Sequence, residues 1–80
     1  MPYAVDDEDF WASLAGRQLD DWVIPLAEKK ISTIKGLDDP RSIGGVYRGK
    51  WGYPIGKLHV VALIDDKNQT VRLIELIKFP

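Results

Sequence analysis

Apolar positions recur along the chain with two different periods. In the first half they are spaced as on a helix. Val23, Ala27, Ile31 and Ile34 share one face of a segment from Gln18 to Lys35, and Gly36 stands where that helix would stop. Pro25 interrupts it, because proline lacks a backbone donor and disfavours helical geometry at Ile24. The regular helix therefore begins at Pro25, or an earlier turn is kinked there. Ahead of it, Pro2 to Val5 reads as a short strand. Asp6 or Asp7 then caps a first helix running to about Ala15, with Gly16 ending it and Asp7, Glu8 and Asp9 at its positive end.

LDDPRSIGG, residues 37 to 45, is a loop by its Asp-Pro and Gly-Gly pairs, and beyond it the spacing becomes that of strands. Trp51 to Ile55 alternates bulky with small residues, and Leu58 to Ile64 is almost wholly apolar. The polar turn DDKNQ follows, then a last strand from Val71 to Ile77, whose polar residues at 72, 75 and 78 recur every three. No linker, repeat or low-complexity segment interrupts the chain. The order β-α-α-β-β-β predicts an α+β fold. Two N-terminal helices would pack on a small antiparallel sheet in one domain spanning residues 1–80.

Eighty residues bury only about 60% of the surface the unfolded chain exposes, so modest stability is expected. With 45% hydrophobic and 29% charged residues the chain reads as globular, and its longest apolar run, Val60 to Ile64, is too short to cross a bilayer. The acidic start MPYAVDDEDF lacks the basic-then-apolar order of a secretory signal, so a cytoplasmic location is expected. The absence of cysteine excludes disulfides and thiol chemistry, and a single histidine, His59, leaves no basis for a transition-metal site; no cofactor is expected. Net charge is −1 but polarised: residues 1–28 hold seven acids and one arginine, residues 29–80 ten cations and five acids. Residues 40 to 64 contain Arg41, Arg48, Lys50 and Lys57 with no acid, a local positive patch suited to an anionic partner.

Strand alternation puts Lys57, His59, Val61 and Leu63 on one face and Leu58, Val60, Ala62 and Ile64 on the other. His59 reads either as a general acid or base or as a partly exposed strand residue. Arg48, Lys50 and Lys57, interleaved with Tyr47, Trp51 and Tyr53, have the ingredients of an RNA-binding surface, in which cations hold phosphates and rings stack on bases. The same alternation would equally bury Trp51 and Tyr53 in a core. GGVYRGKWG lacks phosphate-loop spacing and leads into no helix. Trp11 and Trp22 read as packing on the sheet, or, if exposed, as anchors for a partner.

Residues 37 to 78 resemble the RelE/ParE toxin superfamily of type II toxin–antitoxin systems, on Asp39-Pro40-Arg41, Trp51, Tyr53, Gly56 and Asp65-Asp66; the helical half matches in pattern only. The resemblance implies the strand-helix-helix-strand-strand-strand order, an antitoxin protein as partner, and one of two activities. RelE-like members are mRNA endoribonucleases (mRNA interferases) acting on the ribosome, where a ribose 2′-hydroxyl attacks the adjacent phosphorus; ParE-like members inhibit gyrase. In an active form His59 would be the acid or base and Lys57 and Lys78 the phosphate stabilisers, with Arg48, Lys50, Trp51 and Tyr53 binding RNA.

The departures fall on the family's working cations. Gly52 and Pro54 replace the bases flanking the tyrosine, Leu58-His59 replaces a Tyr-Arg pair, and the end reads Ile77-Lys78-Phe79-Pro80. Losing one preorganised transition-state donor costs about 100-fold or more, so several losses predict attenuated catalysis. The alternative is a non-catalytic binding module on the toxin scaffold, for an antitoxin, gyrase or another protein, or a chain engineered on this template. An exposed sheet edge offers a docking line by strand addition, and Pro54 favours an edge or a bulge.

Overall fold

The computed structural model describes residues 2–78. Seven elements follow in order: β1 (Ala4–Asp6), α1 (Glu8–Leu14), α2 (Val23–Lys35), β2 (Gly45–Tyr47), β3 (Lys50–Ile55), β4 (Leu58–Asp65) and β5 (Thr70–Lys78). The architecture is α+β, with two corrections to the expected sheet. It has five strands, in the order β1-β5-β4-β3-β2, because Gly45–Tyr47 forms a strand. It is mixed rather than antiparallel, because β1 runs parallel to β5, with Val5 opposite Val71.

Helix α2 carries all four expected apolar positions but not the whole segment from Gln18. It starts at Val23, so Pro25 lies in the first turn, where backbone N–H groups have no partner inside the helix and a missing donor costs little. Residues 17–22 form no α-helix. The start of α1 is held by Asp6, whose Oδ1 accepts the Glu8 N–H at 3.1 Å, while Asp7 Oδ2 accepts the Trp11 indole N–H at 2.9 Å.

One apolar cluster joins Phe10 and Leu14 of α1, Val23, Ala27, Ile31 and Ile34 of α2, and the inward residues of β3, β4 and β5. Along β5 those residues are Val71, Leu73 and Leu76, a spacing of two and then three. The cause is a register shift: Ala62 opposes Leu73 and Val61 opposes Glu75, so Ile74 is an extra residue that resets the face. The three-residue step from Arg72 to Glu75 is thus the trace of a bulge.

Two tight hairpins set the remaining registers. Arg48 and Gly49, at φ of 47° and 78°, turn β2 into β3 with the double left-handed geometry of a type I′ turn. At the β3–β4 turn only Gly56 has positive φ, 60°, as a type II′ turn requires. Ile55 and Leu58 close that second hairpin as a hydrogen-bonded pair, so Pro54, one step on, directs its nitrogen away from β4. Pairing with β2 reaches only as far as Gly52, so the absent donor falls on an open edge.

Candidate functional site

The helices cover one face of the sheet, and His59 lies on the other. Val60 and Ala62 belong to the core cluster, so alternation along β4 turns the half-buried His59 to the helix-free face. Beneath it is Gly52, where a Cβ would lie 3.7 Å from His59 Cδ2 and 3.6 Å from Tyr47 Cβ. The bare backbone at Gly52 leaves a depression of about 210 Å³, with His59, Tyr47, Val46, Pro54 and Gly45 around it. Its rim carries one imidazole and one phenol, and no lysine or arginine. The Arg48 guanidinium is held over the Tyr47 ring at 5.5 Å, a cation–π contact just outside that lining.

The expected site residues are not gathered in one place. Lys57 is exposed in the β3–β4 turn, and Lys78, opposite Leu58 in register, is exposed at the end of β5. These two lysines line a separate depression with Trp22 and Asp20. Lys50 faces a third, alongside Arg41, Trp51 and Leu63. Tyr53 and Trp51 take the core alternative. Tyr53 has no exposed surface and donates its hydroxyl to the Pro40 carbonyl at 2.6 Å, so no base can stack on its ring. Trp51 is half-buried against the core, and its indole N–H donates to the Ile43 carbonyl at 2.8 Å.

These bonds assign a structural part to the residues that carry the resemblance. Asp39-Pro40-Arg41, Trp51, Tyr53 and Asp66 clamp the 37–44 loop onto the sheet. Arg41 Nη1 lies 2.7 Å from Asp66 Oδ1, which also accepts the Tyr3 hydroxyl at 2.7 Å. Hydrogen bonds from Arg41 and then Tyr3 hold the Asp66 carboxyl below its ordinary range, and Asn68 does the same for Asp65. Burial pushes the Tyr53 phenol up to about 12. Gly44 completes the clamp. At φ 87°, a Cβ there would sit 2.3 Å from the Gly52 carbonyl oxygen and 2.8 Å from Trp51 Nε1.

Tyr47 and Gly52 are the neighbours of His59 that the sequence did not single out as a group. The Arg-Gly pair between Tyr47 and Lys50 was the available signal, since a left-handed two-residue turn there folds Tyr47 back beside Gly52. Among the described residues no group of three or more His, Asp or Glu could hold a metal ion, and no helix is long and apolar enough to cross a membrane.

No protein-family model and no curated protein matches the sequence. The structure is similar to a chain in the crystal structure of the toxin–antitoxin complex RelBE2 from Mycobacterium tuberculosis. The TM-score is 0.73 at 18% identity, over 99% of this chain and 100% of that one. At that identity the likeness is one of fold: this chain shares the fold of that toxin–antitoxin component.

Proposed function

We propose that this chain is a toxin homologue of a type II toxin–antitoxin system. In this reading it keeps the scaffold that binds an antitoxin and has lost most of the power to cleave RNA. The observation that carries it is the depression on the helix-free face. His59 supplies a proton-transfer group there, but Gly52 and Pro54 line the floor and no lysine or arginine lines it to meet phosphorane charge. Lys57 and Lys78 line a different depression.

The test is induced expression in a bacterial host, with growth and message integrity on translating ribosomes followed together. Intact messages and unchanged growth, with recovery of a small partner protein from the adjacent gene, are the expected result. Vigorous message cleavage would overturn the attenuated reading. It would support the second one, favoured by the position of His59 on the open face, in which His59 is an acid or base of a working mRNA endoribonuclease. Under that reading His59→Ala lowers cleavage about 100-fold or more.

A further inference from the structure

Strand β5 is longer than its partner on the outer side. β1 pairs with Thr70–Arg72, and among the described residues no strand pairs with residues 73–78 on that side. The hairpin fixes which backbone groups point there. Ile55 and Leu58 bond to each other, so His59 and Val61 turn their bonds to Ile77 and Glu75, and Leu76 turns its own away from β4. Bare groups on a strand edge are a template for another chain. Here the segment between α1 and α2 lies against them. Arg17 Nη1 donates to the Leu76 carbonyl at 3.0 Å. The far end of the segment is fixed by apolar contact, because Leu19 packs on the core and the Trp22 ring lies 3.6 Å from where a Cβ of Gly56 would stand. The near end is looser. Gly16 has φ 80°, a Cβ there would meet nothing within 4 Å, and residues 17–20 form neither helix nor strand.

We infer that residues 15–22 are a strap, fastened by Arg17, that keeps the open edge of β5 from pairing with the same edge of a second copy of this chain. That edge is self-complementary. About a two-fold axis through Leu76, antiparallel strands set Leu76 against its counterpart as a hydrogen-bonded pair, with both backbones already turned to the junction. Glu75 then falls opposite Ile77 and Lys78 opposite Ile74, so no like charges meet. The overlap spans residues 74–78, within the usual range of strand lengths, and stops short of β1, whose last pair is Asp6 with Arg72. With the strap fastened, the Arg17 guanidinium stands on the line the added strand would take. Releasing it about Gly16 frees the edge, while Leu19 and Trp22 keep the rest of the segment in place.

The experiment follows sedimentation and amide exchange of the whole chain over a range of concentrations. The unaltered protein is expected to stay monomeric, with fast exchange at Leu76 and Lys78, whose N–H groups face no strand. Arg17→Ala should form dimers as concentration rises, and exchange at Leu76 and Lys78 should then slow by roughly tenfold or more, with the rest of the spectrum unchanged. Arg17→Lys keeps a donor and should stay closer to the monomer. Adding Ile77→Glu to Arg17→Ala sets two carboxylates face to face across the junction and should return the monomer. Arg17→Ala that remains monomeric at millimolar concentration would overturn the inference. So would an unaltered protein that dimerises as readily, dimers that leave Leu76 and Lys78 exchanging fast, or dimers indifferent to Ile77→Glu.

Discussion

The hydroxyl of Tyr53 is sealed inside the protein, and its bond to the Pro40 carbonyl fixes the loop that leads into β2. Tyr53→Phe leaves that carbonyl without its donor and should cost about 1–3 kcal/mol in urea unfolding. The same hydroxyl sets an alkaline limit. Its pKa in the folded protein is about 12, against about 10 unfolded, so its contribution is full below pH 10 and lost as pH rises through 12. The Phe variant should lack that decline between pH 10 and 12. Gly44 is held as strictly. Gly44→Ala adds a methyl against the Gly52 carbonyl in a left-handed backbone, and should destabilise by about 2 kcal/mol or more in the same assay. Pro40, Arg41, Trp51 and Tyr53 were legible as landmarks, but not their purpose. Alternation places a ring on a face and cannot say whether that face meets helices or water. That is why Tyr53 could be read as a stacking platform.

Elements were legible where one period ran without interruption. The apolar face of α2 and the run through β4 announced themselves, because α2 turns one face to the core along its length and β4 is the central strand, with Val60, Val61 and Ala62 all buried. Strand β2 did not, since three residues are too few for a period, and its Gly45 with Gly44 just ahead of it resembles loop punctuation. The last strand was blurred by the extra residue Ile74, whose bulge can be seen only against the register of β4. Parallel pairing of β1 with β5 was equally out of reach, because partners so distant along the chain leave no local signal. Pro54 supports a prediction at this scale. Pro54→Val restores an outward N–H to the uncovered part of β3, and sedimentation should then show concentration-dependent self-association that the parent lacks.

Over the whole molecule, one carboxylate joins distant parts of the sheet. Asp66 ties Tyr3, at the entrance to β1, to Arg41 in the 37–44 loop, joining both outer parts of the sheet through the β4–β5 turn. Because its pKa lies below the ordinary carboxylate value near 3.9, the stability it contributes is present above that value and lost as pH falls through the folded pKa. Acid unfolding of Asp66→Asn should therefore be less steep below about pH 4 than that of the parent, measured by circular dichroism. The candidate site was legible only in part. His59 stood out by being alone, but its separation from Lys57 and Lys78 depends on which residues occupy turns and strand ends. The parallel pairing of β1 with β5 also bears on synthesis. Ala4–Asp6 must wait for Thr70–Arg72, and α1 for the strand it packs on. Synthesis that stops before Thr70 therefore leaves β1 and α1 without the strand they pack on, and the sheet unfinished.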